Sequence, residues 1–329
     1  MIMVPQDNKS IARATATDLL ASCKETAIDQ LYANPAGAET SIEQLVKCAE
    51  RSVAALVENS NDEVEFQASV RTRMGDMLEN YTCADEGLDS TEPEEEKDWS
   101  YKGNKFKVKV MHERTASKIH VIENFISTEE CKAVEDAAKS KLHRATVADT
   151  DGGSRFSESR KAMQAGISVP WNREIFGNPI AAVSRRVLDY TNTVSNYDLG
   201  EHGQEDLMSI QYTGRGVDDP EPDRYMPHCD GDCLGREHRL GTRVATMVMY
   251  CDVPEIGGAT NFRNAGIHIN AKSGNAVFFS YMSDDGMMDK GFTEHSGCPV
   301  LEGKKTIVTQ WMRKGVDKEN PWDSWNTSK

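Results

Sequence analysis

The feature that most constrains this fold is a series of short apolar runs that begins at Leu207 and continues almost to the end of the chain. Turn-forming residues, mainly Gly, Asp and Pro, separate the runs. The runs read LMSIQYT, RVATMVMYCD, ATNF, GIHINA, NAVFFSYM and KTIVTQWM. Short strands at regular spacing, with turn signals between them, are typical of antiparallel sheets that close on themselves. The second half of the chain is therefore predicted to form a double-sheet jelly roll (a double-stranded β-helix) or a barrel.

The segment before these runs contributes both strands and helices. KFKVKVMHE alternates like a strand, and KIHVIENFIS reads as a strand that enters a turn. Ser127 and Glu130 form a capping-box signal at the start of STEECKAVEDAAKSKL, and GNPIAAVSRRVLDYTNTV is predicted as a further helix. The fold class predicted from these patterns is α+β, with a double-stranded β-helix core and flanking helices.

The N-terminal region has a different pattern. SIEQLVKCAERSVAALVE carries an apolar stripe at helical spacing after an N-cap at Ser41, and about three helices are expected in all. The stretch ADEGLDSTEPEEEKD then holds eight carboxylates against one lysine, so it repels itself and reads as a linker. The predicted organisation is a helical region over 1–83 with no assigned role, an acidic linker over 84–100, and the β-rich domain over 101–329.

Charge and hydropathy exclude some classes of function. The formal net charge is −15, the opposite sign from that of a phosphate-backbone binder, so no nucleic-acid partner is expected. No apolar run is long enough to span a membrane as a helix. The first ten residues lack the pattern of a signal peptide, which leaves either a cytoplasmic protein or a chain without its leader. Neither the compartment nor the oligomeric state is predicted.

The eight cysteines are scattered along the chain rather than arranged as a compact disulfide framework. Cys229 and Cys233 lie close together, but no second pair stands at the spacing of a zinc site. Free thiols, or one local disulfide, are therefore expected.

The segment YMPHCD places a histidine and an aspartate two residues apart, at His228 and Asp230. Residues i and i+2 of a strand point to the same face, so both side chains can reach one metal ion. His295, in GFTEHSGCPV, is the best-placed third ligand. Two imidazoles and one carboxylate form the facial triad of non-haem Fe(II) oxygenases. The alternative is that this short pair is only a polar surface turn.

Lys305 stands in the apolar run KTIVTQWM, with Thr309 and Trp311 at even spacing after it. A lysine buried in a strand is costly unless it is paired, and an anionic ligand would supply the pair. The alternative is an exposed lysine beside its neighbour Lys304. The alternation of the strand favours one of the two lysines pointing inward.

The segment 124–311 contains all of these side chains. It resembles the 2-oxoglutarate- and Fe(II)-dependent prolyl 4-hydroxylases, the catalytic-domain type of collagen-modifying, plant and algal enzymes. The resemblance rests on NFISTEEC, SESRKAM, EDLMSIQY, YMPHCD, RVATMVMYCDVPEIGGATNF, SGNAVFFSYM and HSGCPVLEGKKTIVTQWM. It implies a 2-oxoglutarate dioxygenase that hydroxylates peptidyl proline at C4 and releases succinate and carbon dioxide. It implies Fe(II), 2-oxoglutarate and ascorbate as cofactors, and work in the endoplasmic reticulum or secretory pathway.

The resemblance also assigns roles to residues. His228, Asp230 and His295 would hold iron, and Lys305 would bind the distal carboxylate of 2-oxoglutarate. Tyr212, Thr309 and Tyr225 are the candidates to assist at the cosubstrate site. The residues that match peptide-binding positions are Arg160, Glu205 and Trp311, for which the alternatives are surface charges and a core tryptophan.

This chain departs from the family in three places. The segments TGRGVDDPEPDR and GDCLGREH are unusual for it, and Ala259 stands in GGAT where relatives often have glutamate. His238 and His268 are extra histidines nearby and are expected not to be ligands. The two unusual segments border the expected site, so they bear on the substrate rather than on the iron chemistry.

Three competing interpretations stay open. A 2-oxoglutarate oxygenase could act instead on a lysyl residue, a free amino acid or a small metabolite. The jelly roll could be a binding module without catalytic activity. Alternatively, residues 1–100 could be the main partner-binding part of the chain.

Overall fold

The computed structural model describes residues 45–48, 50, 83, 88–148, 154–157 and 159–325. The chain divides into two compact units, Met1–Arg73 and Met74–Lys329. Of the helices predicted over 1–83, only residues 45–48 and 50 fall within the described part, and these are helical. The rest of that prediction lies outside the described residues. Among the described helices, none combines the length and the apolar character needed to cross a bilayer.

The described part of the second unit is mostly β. Its strands are β1 (Glu95–Tyr101), β2 (Asn104–Glu113), β3 (Lys118–Ile122), β4 (His143–Arg144), β5 (Val147–Ala148), β6 (Ser154–Arg155), β7 (Arg160–Lys161), β8 (Met163–Ile167), β9 (Leu207–Thr213), β10 (Asp223–His228), β11 (Arg243–Asp252), β12 (Ile256–Gly257), β13 (Thr260–Phe262), β14 (Ile267–Ile269), β15 (Ala276–Ser280), β16 (His295–Glu302) and β17 (Lys304–Arg313). The runs noted in the second half of the sequence thus correspond to β9 and to strands from β11 to β17.

Apart from the two-stranded pair β5–β6, these strands form two antiparallel sheets. The larger has nine strands in the order β1-β2-β3-β15-β11-β17-β9-β8-β4. The smaller has the order β14-β13-β16-β10-β7, with β12 pairing to β16, and β5 pairs only with β6. The jelly-roll prediction is confirmed, whereas the predicted class α+β needs a correction, because the described part is mostly β with few helices. In the central strands β11 and β17, eight consecutive residues are buried, as expected where both faces of a strand are covered.

Two α-helices accompany the sheets in the described part, α1 (Thr128–Ala138) and α2 (Pro179–Val194). The predicted capping box is present at α1: Ser127 Oγ accepts from Glu130 N at 3.1 Å, and Glu130 Oε2 accepts from Ser127 N at 2.9 Å. Asn178 caps α2 through its side-chain oxygen. Arg186 of α2 forms an ion pair with Glu130 at 2.7 Å and so joins the two helices.

The predicted acidic linker needs a correction, because its second half is β1. The acidic side chains of β1 face the lysines of β2: Asp98 lies 2.7 Å from Lys105, and Glu96 lies 2.6 Å from Lys107. Trp99 stacks on Tyr101 with the ring centres 5.3 Å apart. Cross-strand pairs of opposite charge cancel the repulsion that composition alone indicated. The boundary between the helical region and the linker stays a prediction.

The prediction of free thiols or one local disulfide is wrong for most of the described cysteines. Cys229 and Cys233 do form the local disulfide. Two further disulfides join distant parts of the chain: Cys131 of α1 with Cys251 of β11, and Cys83 with Cys298 of β16. Their partners lie 120 and 215 residues apart, which is why spacing did not reveal them.

Candidate functional site

The predicted triad comes together at the junction of two neighbouring strands. His228 of β10 is the register partner of His295 of β16, and the two ring centres lie 4.3 Å apart. Strand β10 ends at His228, so Asp230 projects from the turn that follows rather than from the strand itself. One ligand atom from each of the three residues lies within 4.8 Å of the others. Within the described residues this is the one group of His, Cys, Asp or Glu that could hold a metal ion.

Hydrogen bonds set the tautomers of both histidines. His228 Nδ1 donates to Met226 O at 2.8 Å, and His295 Nδ1 donates to Thr293 O at 3.0 Å. Asp289 Oδ2 accepts from the backbone N and the hydroxyl of Thr293, and so holds the carbonyl that anchors His295. With Nδ1 protonated, each Nε2 keeps a lone pair for a metal. Burial, followed by the neighbouring imidazole of His295, lowers the pKa of His228 and favours its neutral form.

The carboxylate of Asp230 is oriented by β11. Thr246 Oγ1 donates to Asp230 Oδ2 at 2.8 Å, and Tyr281 OH lies 3.2 Å from Thr246 Oγ1. Burial alone would raise the pKa of Asp230, but the nearby histidines outweigh it and the pKa is lowered. A Cβ at Gly231 would lie 2.4 Å from the Tyr281 ring, so the turn after Asp230 requires glycine there. Two imidazoles that present Nε2 and one carboxylate are a ligand set that suits a divalent iron ion.

A three-layer stack covers one side of the triad. The Tyr225 ring lies parallel to that of His228, with the centres 3.5 Å apart, and the guanidinium of Arg160 lies 4.7 Å from the Tyr225 ring centre. Arg160 is buried and donates to Thr146 O at 2.9 Å. The alternative that Arg160 is a surface charge is therefore wrong. Burial raises the pKa of Tyr225 to about 12, so its hydroxyl is neutral.

Lys305 is the strongest indication of an anionic ligand. It is only 2% exposed, and it has no ion pair with any residue in the described part of the chain. Its Nζ lies 5.7 Å from the Tyr212 ring centre and 5.5 Å from that of Tyr250. Burial lowers its pKa to about 7. Because an isolated buried ammonium is costly, this position fits the carboxylate of a dicarboxylic acid such as 2-oxoglutarate.

A cavity of about 860 Å³ joins the triad to Lys305. Every site residue predicted from the sequence lines it: His228, Asp230, His295, Lys305, Tyr212, Thr309, Tyr225, Arg160, Glu205 and Trp311. The extra histidines His238 and His268 do not belong to the metal-ligand group. The cavity has a buried end and a more open end, which belong to one site. The buried end is lined by Lys305, Tyr212 and Thr309.

The carboxylate of Glu205, which is expected to bind the peptide, is engaged by two arginines. Its carboxylate accepts from Arg243 Nε at 2.6 Å and Nη2 at 2.8 Å, and from Arg313 Nε at 2.6 Å. Burial opposes its ionisation, but the arginines outweigh burial and hold its pKa below the usual range. Glu205 therefore fixes Arg243, whose guanidinium lies 4.0 Å from the Trp311 ring centre. A direct contact of Glu205 with a peptide stays a prediction.

Some site residues were missed by the sequence interpretation. They occupy every second position along β11: Thr246, Val248 and Tyr250. Thr246 orients Asp230 through a hydrogen bond, and Val248 lines the cavity. Tyr250 lies 2.7 Å from Thr260 through their hydroxyl groups, and Thr260 lines the cavity. The alternation of β11 was the available signal, since every second residue of a strand shares a face.

Comparisons with known proteins found similarity to one superfamily of enzymes. Residues 216–313 match the model of the 2OG-Fe(II) oxygenase superfamily. The chain is 29% identical over 219 residues to probable prolyl 4-hydroxylase 3 of Arabidopsis thaliana, covering 60% of this chain and 70% of that protein. It is 30% identical to prolyl 4-hydroxylase subunit alpha-1 of Rattus norvegicus, covering 58% of this chain but only 33% of that subunit.

A solved structure is also similar, that of viral collagen prolyl hydroxylase from Paramecium Bursaria Chlorella virus-1 in its 2OG complex. The sequence identity is 24%, the TM-score is 0.45, and the match covers 60% of this chain and 96% of that one.

Proposed function

We propose that this chain, whose residues 216–313 match the 2OG-Fe(II) oxygenase superfamily and whose sequence is similar to prolyl 4-hydroxylases, hydroxylates peptidyl proline at C4 with release of succinate and carbon dioxide. One observation carries the proposal: a two-histidine, one-carboxylate group shares a cavity with a buried lysine that lacks a counter-ion among the described residues. That combination fits a metal ion together with an organic anion.

The residues present fit both groups. His228 and His295 would bind Fe(II) through Nε2, and Asp230 would bind it through its carboxylate. Lys305 would hold the distal carboxylate of 2-oxoglutarate, with the hydroxyls of Tyr212 and Thr309 beside it. When bound, iron and 2-oxoglutarate supply the oxidising chemistry, and ascorbate would restore iron oxidised in turnovers without substrate.

The protein's own part is to position the metal ligands and to exclude water from the cavity. The two Nδ1–H groups and Thr246 hold the metal ligands in place. Val248 and Ile307 give the cavity an apolar wall, which keeps water away from the reacting groups. Pairing with a carboxylate favours the charged form of Lys305 and offsets the cost of its burial.

An extended peptide is the substrate that best fits the open end. Proline-rich chains already adopt the extended polyproline II form, so binding orders them at a low cost in entropy. Trp311 and Tyr225 provide aromatic surfaces there, and the indole Nε1 of Trp311 is a buried donor with no partner among the described residues. Arg160 is the nearby candidate to contact the peptide backbone.

The test measures two products. Purified protein is incubated with Fe(II), 2-oxoglutarate and ascorbate over a panel of prolyl, lysyl and free amino acid substrates. We expect succinate release that depends on Fe(II), and a mass gain of one oxygen atom on prolyl peptides. His228→Ala should abolish both products, while His202→Ala, a histidine outside the cavity, should keep them. Succinate release without oxygen on any prolyl peptide would contradict the substrate, and no succinate release at all would contradict the oxygenase function.

A further inference from the structure

The open end of the cavity is rich in guanidinium groups. Five arginines line the cavity, in a chain whose formal net charge is −15. They are Arg160, Arg236, Arg239, Arg243 and Arg313. Apart from Asp230, four carboxylates line it, namely Glu205, Asp206, Asp232 and Glu237. With Lys305 and Asp230 included, six basic side chains stand against five carboxylates in the lining, so its balance of charge is opposite in sign to that of the whole chain.

The ion pairs leave a surplus of positive charge. Glu205 is shared by two guanidiniums, those of Arg243 and Arg313. Asp232 lies 3.2 Å from Arg236 and neutralises it. Of the other carboxylates, Asp206 accepts from the Ser168 hydroxyl, and Glu237 is exposed to solvent.

Two guanidiniums can receive an anion. Arg239 is exposed, and its side chain has no ion pair with any residue that the structure describes. Arg243 is held by Glu205 through Nε and Nη2 and by the Trp311 ring, so its Nη1 is a positioned donor without a partner in the described part. A guanidinium that is already oriented loses little entropy when it binds a carboxylate.

Arg239 stands on a loop that is held in place. This arginine loop, residues 231–242, follows the triad aspartate and begins at the Cys229–Cys233 disulfide. The backbone bonds that anchor it are Gly235 N to Asp289 O at 2.9 Å, His238 N to Gly286 O at 2.8 Å and Met288 N to Arg236 O at 2.8 Å. Arg239 O also accepts from Thr242 N at 3.1 Å. A loop fixed at several points can present a side chain for selection among ligands.

We infer that the arginine loop selects peptides that carry a carboxylate side chain beside the hydroxylated residue, with Arg239 and Arg243 as the groups that receive it. The inference rests on the proposed peptidyl substrate. A carboxylate gains charge-assisted hydrogen bonds from these groups, and a lysine at the same place meets like charge. The affinity for a peptide with a neutral side chain at that place is intermediate between the affinities for the other two peptides.

The test uses three matched peptides with one prolyl core and Glu, Gln or Lys next to the target proline. Binding to the metal-free protein is followed by fluorescence anisotropy of labelled peptides, and hydroxylation by the iron-loaded protein is followed by mass. We expect the Glu peptide to bind about 3- to 10-fold more tightly than the Gln peptide, and the Lys peptide to bind most weakly. The difference should shrink at high salt.

Arg239→Gln should remove most of the preference for Glu over Gln. Arg173→Gln is the matched control, an exposed arginine of the 3₁₀ helix Trp171–Phe176 that does not line the cavity, and it should keep the preference. Equal binding of the three peptides, or a preference that survives in Arg239→Gln, would overturn the inference. Equal hydroxylation of all three overturns the inference and leaves the proposed function standing. A binding preference for the Glu peptide without hydroxylation of any peptide overturns the proposed function and leaves the charge selection standing.

Discussion

At the scale of single residues, the triad depends on atoms that do not face the metal. The carbonyl groups of Met226 and Thr293 fix the two imidazoles, and the Thr246 hydroxyl fixes the carboxylate of Asp230. Groups of this kind orient a ligand and tune its basicity. Replacing one of them should therefore change metal binding more than it changes stability.

Thr246→Val tests this directly, because it keeps the shape of the side chain and removes the donor to Asp230. We expect metal affinity to fall about 10- to 100-fold, measured by Mn(II) titration as a stand-in for Fe(II). Thr193→Val is the control, since its hydroxyl donates to a helix carbonyl at an exposed position of α2. Unchanged affinity in Thr246→Val would show that the hydroxyl does not orient Asp230.

Lys305 predicts a dependence of stability on pH. Its pKa falls from 10.5 to about 7 in the folded protein without ligand, because of burial. Between these two values the unfolded chain holds the proton and the folded chain does not, so the free energy of unfolding rises with pH across that window. The destabilisation is fully present below about pH 7.

The measurement is urea denaturation at several pH values from neutral to mildly alkaline, for the wild type and for Lys305→Met. The wild type should gain stability with pH relative to the variant, and saturating 2-oxoglutarate with metal should reduce that gain. Parallel pH profiles for the two proteins would rule out an ammonium that is buried without a partner.

At the scale of elements, Glu205 ties two neighbouring strands together. Arg243 belongs to β11 and Arg313 to β17, and the two are register partners in the nine-stranded sheet. Both guanidiniums meet on the carboxylate of Glu205, which lies just before β9. A shared carboxylate of this kind holds the open end of the cavity in one shape.

Glu205→Gln should therefore cost about 3–5 kcal/mol in the free energy of unfolding, because it leaves charge buried without a full counter-charge. Glu201→Gln, which breaks a more exposed pair with Arg185, should cost about 1 kcal/mol or less. Both values come from urea denaturation at one pH. If Glu205→Gln instead weakened peptide binding with no loss of stability, Glu205 would be a direct peptide anchor, as the sequence first indicated.

At the scale of the whole molecule, disulfides restrict the chain over very different lengths. Cys131–Cys251 spans 120 residues and joins a helix to a central strand, whereas Cys229–Cys233 spans four. A crosslink removes more entropy from the unfolded chain when the loop that it closes is longer. The long-range crosslink should therefore carry more of the stability.

Replacing both cysteines of the Cys131–Cys251 pair by serine should cost about 5 kcal/mol, against about 2 kcal/mol for the Cys229–Cys233 pair, by the loop-entropy relation. Denaturant unfolding of the two double variants measures the difference. Equal losses would mean that strain or packing, rather than loop length, decides the contribution of each disulfide.

The sequence by itself determined the strand pattern, the capping box of α1, and the identity of the triad and of Lys305. These follow from short-range rules: a strand places residues i and i+2 on one face, so His228 with Asp230, and Lys305 with Thr309, could be read together. The position of His295 in the same series of strands made it the third ligand, and resemblance to a family agreed with that choice.

Only the tertiary structure decided which side chains meet across strands. Register placed Arg243 and Arg313 on the carboxylate of Glu205, a supporting contact that the sequence did not predict. The lysines of β2 turned an acidic stretch into β1, and folding brought Cys131 to Cys251. Such contacts join residues far apart in the chain, and local spacing carries no information about them, because the free energy that selects them comes from packing of the whole domain.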